Sequence, residues 1–296
     1  MNNIYMTLIG FTNIGNTCFM NSALQILLSC KGLSKLILKT HKQGKLINTY
    51  RDLLIEYKQA TDRDVITPHK IKNMMGSMLE IFRGYGQQDA HEFISLFLQK
   101  IDEELKENDA NNTDLDSILA CKIRTETRSV ETDKVSLNYN NDVVLELHMP
   151  SHNEKTSLNE LLDDFTRTER LDDIHKFDVC GAVKSVEEYA EKRTSIEETM
   201  NYLIIHLKRF KQVGIGRYTK KNNQVSIPRI MNTTKGTYYL KSFIVQSGNL
   251  SGGHYVSFIE DSNVWKCAND STITPVPTDN LNRLLEQSYV VCFERR

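Results

Sequence analysis

The sequence has no CxxC pair anywhere, and its six cysteines (Cys18, Cys30, Cys121, Cys180, Cys267 and Cys292) are scattered without short pairing intervals. A structural zinc site built on the usual ligand pairs is therefore not expected, and free thiols in a reducing compartment fit better than a disulfide framework. Charge of one sign is also lacking. The 37 Lys plus Arg nearly cancel the 38 Asp plus Glu, so no global field draws the chain to nucleic acid or to an acidic membrane surface. Any partner must be recognised locally. No segment approaches about 18 uninterrupted apolar residues, and the start, MNNIYMTLIG, has neither the basic opening nor the long apolar run of a secretory signal. The expectation is a soluble protein inside the cell, cytoplasmic or nuclear, that does not enter membranes. Internal repeats, low-complexity tracts and a clear linker are missing as well. With 296 residues, 40% of them hydrophobic, the chain can bury a substantial core as one large domain or two intimate ones.

What is present divides into two styles of pattern. Met20, Leu24, Leu27 and Leu28 follow Cys18 at helical spacing, and Leu46, Tyr50, Leu53, Leu54 and Tyr57 repeat the stripe. Thr67-Pro68 predicts a helix start, with Ile71, Met74, Met75, Met78 and Phe82 on one face until Gly84 and Gly86 break it. A longer helix is predicted from Asp89, its stripe running through Ala90, Phe93, Ile94, Phe97, Ile101 and Leu105. Beyond about residue 110 the pattern turns to strands, interrupted by a short helix that Ser157 opens. NYLIIHLKRF, from Asn201, is a continuous apolar run of strand length that should be buried on both faces. TYYLKSFIVQ, GHYVSFIED, NVWKCAN and SYVVCFER read as an antiparallel sheet. The fold class is α+β, helices first and sheet last.

Within GFTNIGNTCFMNSALQ, Cys18 falls where a helix begins. Unpaired N–H groups and the helix dipole at such a place favour negative charge, which predicts a stabilised thiolate and makes Cys18 a candidate nucleophile. The bland alternative is a buried structural cysteine. Asn13, across a glycine-containing loop, can turn back so that its amide and the Cys18 N–H together hold a developing oxyanion; a turn or cap role is the rival. A base must come from elsewhere in the chain. His254 follows a glycine-rich loop and opens a strand, and Gly252 and Gly253 leave room for a chain to pass close by. The next strand ends in Asn269 and Asp270, either of which can accept the imidazole N–H.

Taken together these motifs resemble the ubiquitin-specific protease family of deubiquitinases. GFTNIGNTCFMNSALQ is similar to its cysteine box, YGQQDAHEF to its second helical signature, GGHYVSFIEDSNVWKCANDSTI to its histidine box and YLIIHLKRF to a strand between them. The matches occur in family order from residue 10 to about 293. The resemblance implies a papain-like cysteine peptidase fold forming a single catalytic domain over 1–296, with a helical thumb to about 115 and β fingers and palm beyond. It implies hydrolysis of the (iso)peptide bond after the last glycine of ubiquitin, with ubiquitin and ubiquitinated proteins as partners and no cofactor. Position by position, Cys18 becomes nucleophile, His254 base, Asn269 the residue orienting the imidazole, Asp270 a polar group beside it, and Asn13 an oxyanion donor. Gln88, Asp89, Gly253 and Tyr255 would line the channel for the ubiquitin tail, while His91 would pack or hydrogen-bond within the thumb.

One departure stands out. Many relatives bind zinc through two CxxC pairs at the tip of the fingers; here the first pair aligns with Ser129 and Thr132 and the second with Cys180 and Val183. Ser, Thr and Val are not useful zinc ligands, so no zinc is expected there. The loop Ser247 to Gly253 is a candidate gate over the channel, with an exposed hairpin as the plain alternative, and KKNNQVSIPRI resembles the stretch carrying the family's other blocking loop. Two rival functions share these motifs: a catalytically silent ubiquitin-binding scaffold, and a thiol protease for another ubiquitin-like modifier.

Overall fold

The computed structural model describes residues 7–107, 109–132, 134–150, 154–171, 175–178, 185–214, 217–249 and 252–296. Cys180 and Val183, and residues 250 and 251 of the glycine-rich loop, lie outside these described residues.

Five helices come first: α1 (Cys18–Ser29), α2 (Lys31–Lys39), α3 (Lys45–Gln59), α4 (His69–Met78) and α5 (Ala90–Lys106). All residues of α1 are buried, polar ones included. Its apolar side chains pack against α5 and against the strand Gly253–Asp261, while its polar side chains act as pins. Gln25 Nε2 donates to the Ile9 carbonyl at 2.7 Å, and Ser29 Oγ meets Ser242 Oγ at 2.8 Å. A helix wrapped on every side needs such partners, because a buried polar group without one is costly. The sequence stripe runs α4 on to Phe82, but the helix stops at Met78. Leu79 is extended, with φ −135°, and Phe82 reaches the core from a separate 3-10 turn, Glu80–Phe82. α2 escapes the periodicity reading because it follows α1 after the single residue Cys30.

Three more helices follow, α6 (Asp116–Leu119), α7 (Leu158–Thr166) and α8 (Thr278–Leu285). Ser157 opens α7 as predicted, in a reciprocal cap: its hydroxyl accepts from Glu160 N at 3.2 Å, and Glu160 Oε2 accepts from Ser157 N at 2.7 Å.

The main sheet has eight strands. Its order is Thr272–Pro275, Val264–Asn269, Gly253–Asp261, Gly236–Gly248, Ser288–Arg295, Tyr202–Lys208 and Leu145–His148, with Ile230–Thr233 also paired to Gly236–Gly248. All pairings are antiparallel except that of Tyr202–Lys208 with Leu145–His148. Alternate residues serve two cores. Ile204, Val290, Cys292 and Ile244 face the helical half, whereas Leu203, Ile205, Val291, Phe293 and Phe243 face a second cluster closed by Leu161 of α7 and by Leu281 and Leu285 of α8. That two-sided burial explains the unbroken apolar run in YLIIHL. Arg209, only 2% exposed, ends this run; its guanidinium donates to the carbonyls of Ser288, Lys221, Asn223 and Glu286, tying the loop after Lys220 to the sheet.

A separate sheet of four strands orders Val135–Asp142, Cys121–Ser129, Ala190–Thr199 and Glu169–Arg170. Every residue of its edge strand Val135–Asp142 is exposed. At the position aligned with a zinc ligand, Ser129 Oγ instead accepts from the N–H groups of Glu131 and Thr132, at 3.1 and 3.0 Å, and so turns the chain.

Candidate active site

The nucleophile loop is built on one side chain. Asn13 Oδ1 accepts from Gly15 N at 3.2 Å, Thr17 N at 3.1 Å and Thr17 Oγ1 at 3.3 Å. Gly15 has φ +105° and Asn16 φ +53°, left-handed geometry suited to those two residue types, and Asn16 is pinned to the Tyr85 carbonyl at 2.9 Å. The loop thereby delivers Cys18 to the first position of α1.

Two strands of the main sheet face it. His254 sits at the start of Gly253–Asp261 and its Nε2 is 2.7 Å from Asn269 Oδ1, the last residue of Val264–Asn269. Since Oδ1 can only accept, Nε2 carries the proton and Nδ1 keeps its lone pair. The backbone N–H of Tyr255, next in the chain, approaches the Cys18 sulfur closely enough to favour its charged form. Asp270 departs from expectation: instead of partnering the imidazole, its Oδ2 accepts from Asn13 Nδ2 at 2.9 Å and its Oδ1 from Asn21 Nδ2 at 2.8 Å. It takes φ +49°, and its carbonyl accepts from Phe11 N at 2.9 Å. Asp270 is a strut between the hairpin tip and the nucleophile loop. Gly10 lets the two come close, for a Cβ there would lie 2.4 Å from the Ser271 carbonyl oxygen.

The cleft beyond Cys18 is lined by Gln87, Gln88, Asp89, His206 and Tyr289 among others. Asp89 caps α5, with Oδ1 accepting from His91 N at 2.7 Å and Glu92 N at 3.2 Å. Its Oδ2 is held by the hydroxyls of Tyr255, at 3.3 Å, and Tyr289. Cap and cleft roles thus use different oxygens. Tyr289 went unnoticed in the sequence because it opens an otherwise apolar strand run. It is Gln87, beside the predicted Gln88, that crosses the cleft: its Oε1 accepts from Gly253 N at 2.6 Å. Gly253 itself admits no side chain, since a Cβ would fall 2.6 Å from the Asn249 carbonyl oxygen and 2.7 Å from that of Ser247.

The electrostatics correct one expectation. Burial pushes the Cys18 thiol above its ordinary value and the Asp270 carboxylate adds to that; the N–H groups of Tyr255, Phe19 and Cys18 pull the other way without prevailing. The helix start does favour the thiolate as predicted, but desolvation of a sulfur in a residue only 3% exposed outweighs it. At rest Cys18 is a thiol. A thiol approached by the residue that follows His254, an imidazole held by a carboxamide, is the set of groups that acyl transfer through sulfur uses.

His91 hydrogen-bonds within the thumb as expected, its Nε2 3.2 Å from Ser95 Oγ of the same helix, and it does more. It reaches across to the sheet, its Nε2 lying 3.1 Å from Glu146 and its ring stacked on His206. Among the described residues, these three side chains are also the group close enough together to hold a metal ion. Only DAHEF and IIHLK showed these histidines in the sequence, with nothing there to pair them.

A papain-like arrangement on a helical half and a sheet half defines a thiol hydrolase. Family comparison makes the class specific: the profile described as ubiquitin carboxyl-terminal hydrolase matches residues 9–293, and the chain belongs to that family. Among curated proteins it is similar to ubiquitin carboxyl-terminal hydrolase 4 of Arabidopsis thaliana, 29% identical over 89% of this chain and 84% of that one. It is likewise similar to ubiquitin carboxyl-terminal hydrolase 12 of Salmo salar, 27% identical over 97% and 89%. Among solved structures, the SAGA DUB module Ubp8/Sgf11/Sus1/Sgf73 bound to monoubiquitin matches with a TM-score of 0.82 at 21% identity, covering 100% of this chain and 71% of that one. The same module bound to ubiquitin aldehyde gives 0.80. These two establish a shared fold.

Proposed function

We propose that the chain is a deubiquitinase, hydrolysing the bond after the C-terminal glycine of ubiquitin. Membership of the ubiquitin carboxyl-terminal hydrolase family supports the substrate, as do solved neighbours bound to ubiquitin. The observation that carries the chemistry is the His254–Asn269 pair, held on the sheet beside the strand N–H that contacts the Cys18 sulfur.

Because Cys18 rests as a thiol, His254 acts first as a general base. Its free Nδ1 takes the thiol proton as sulfur attacks the glycine carbonyl. The oxyanion is met by the Cys18 N–H and by the second N–H of Asn13 Nδ2; Asp270 occupies the first and so aims the amide. His254 then gives its proton to the departing lysine amine, and water hydrolyses the thioester. Asn269 orients the ring without neutralising its positive charge. Asp89, Gln88, Gly253 and Tyr255 receive the extended tail, and that tail replaces the Gln87–Gly253 bond.

The test is reaction with ubiquitin carrying a C-terminal electrophile, alongside the same probe made from other ubiquitin-like modifiers. A Cys18 adduct with ubiquitin, absent from Cys18→Ala, is the expected result. No adduct would leave a silent scaffold, and preference for another modifier would rename the substrate.

A further inference from the structure

We propose that His91, Glu146 and His206 form a binding site for a divalent cation of the zinc class, which bridges helix α5 to the main sheet and restrains the cleft leading to Cys18.

The convergence follows from the fold. Glu146 and His206 are register partners on adjacent parallel strands, so their side chains leave the same face of the sheet. That face meets α5, where His91 stands in the first turn next to the Asp89 cap. His91 Nε2 lies 3.1 Å from Glu146 Oε1 and His206 Nδ1 lies 3.9 Å from the same oxygen; the ligating atoms of all three fall within 4.8 Å of one another. No other described side chains converge in this way.

A second observation points to a ligand. His206 is 6% exposed, yet neither ring nitrogen has a hydrogen-bond partner among the described residues. Its ring is held by stacking, at 3.9 Å from the His91 ring, and by the edge of Tyr289 at 4.7 Å. Those contacts position the ring and satisfy neither nitrogen. Buried polar atoms are nearly always satisfied, and an imidazole lone pair is a ready metal ligand.

The donor set selects the cation. Two imidazoles and one carboxylate suit zinc and its neighbours, whereas magnesium and calcium prefer oxygen alone. Lys208 Nζ holds the other Glu146 oxygen at 2.6 Å, orienting the carboxylate from outside the trio.

Tetrahedral zinc, with bonds of about 2.0–2.2 Å, sets its donors about 3.4 Å apart. The His91–Glu146 pair is already near that spacing, whereas His206, with Nδ1 3.9 Å from Glu146 Oε1, must move closer. The two rings lie nearly parallel, at 14°, so one must turn for both lone pairs to meet one ion. His91 has the room, since it lines a cleft of 620 Å³ together with Asp89 and Tyr289. That turn costs the stacking contact, which makes the site responsive to cation concentration instead of permanently filled. A filled site ties the first turn of α5 to the sheet, and, given the function proposed above, slows entry of the ubiquitin tail.

Zinc titrated calorimetrically into Cys18→Ala tests the site without the catalytic thiol as a competing ligand. One bound zinc per chain is expected, with affinity falling at least about 10–100-fold in His91→Gln and in Glu146→Gln, the range that loss of even an outer partner produces. Millimolar magnesium should not compete. Thermal melting of His91→Gln, whose side chain is partly exposed, checks that the fold survives. Absence of binding, or equal affinity in the parent and both variants, overturns the site. In the active chain, zinc should slow adduct formation with the ubiquitin probe, and His91→Gln should need about tenfold more zinc for the same effect; equal sensitivity would place the inhibition at Cys18 and overturn the restraint. The titration needs no activity, so its outcome is independent of whether the chain is a deubiquitinase.

Discussion

The two larger sheets are held by opposite means. The eight-stranded sheet sends alternate side chains into two cores, and its central strands Tyr202–Lys208 and Ser288–Arg295 are buried almost throughout. The four-stranded sheet is a ladder with one fully exposed edge strand, trimmed by surface ion pairs such as Arg124–Glu197 and Lys192–Glu169. Exposed pairs of this kind contribute little. The sheet that carries His254 and Asn269 is therefore the one that cannot shift, since its register is fixed on both faces. The ladder lacks that constraint, and at its described position aligned with a zinc ligand Ser129 holds a turn instead.

Several measurements press on this contrast. The largest effect is expected from Cys18→Ala, which should abolish probe adduct and lower ubiquitin hydrolysis by roughly 10⁴-fold or more. Next is stability: Phe243→Ala removes a fully buried ring stacked at 4.6 Å on Phe258, and denaturant unfolding should show a loss of about 3–5 kcal/mol. Asn269→Ala should cut the hydrolysis rate by roughly 10²-fold, the lower range for an acid–base contribution, because the ring loses its tautomer control and not its nitrogen; a wild-type rate would remove Asn269 from the site. The raised Cys18 thiol sets a pH dependence whose sign is fixed. Deprotonation makes the nucleophile, so alkylation of Cys18 by iodoacetamide should rise about tenfold per pH unit and keep rising beyond about pH 8.5; a plateau by pH 7 would mean a preformed thiolate. The smallest effects belong to the ladder. Leu137→Ala, half exposed on its edge strand, should change stability by less than about 0.5 kcal/mol, and a chelator should leave hydrolysis undiminished.

The sequence was legible where one local rule decided the outcome. Apolar spacing marked α1, α3 and α5, Ser157 with Glu160 marked α7, and the unbroken run after Asn201 marked a strand buried on both faces. Legibility failed where the deciding contact was distant. α8 offers only Leu281 and Leu285 to the core, too few for a stripe. The end of α4 is set by Leu79 turning extended, and the apolar stripe runs straight through it to Phe82. At the site, residue types indicated Cys18, His254 and Asn269. They could not reveal that Asp270 serves Asn13 and Asn21, that Gln87 bridges to Gly253, or that register aligns Glu146 with His206. Each of these depends on strands and loops that are distant in sequence, 60 residues apart at the least. The net charge state of Cys18 was missed for a related reason: a helix start is visible in sequence, whereas depth of burial is not.

The strut formed by Asp270 has a temporal meaning. It fastens residues 13 and 21 to a hairpin tip some 250 positions later, and the imidazole arrives from the same late segment. A chain emerging from the ribosome thus carries its sulfur early and idle, with no partner to take its proton until the closing strands have been made and docked. On the roles proposed above, the order of synthesis leaves the sulfur without its imidazole until the late strands are in place.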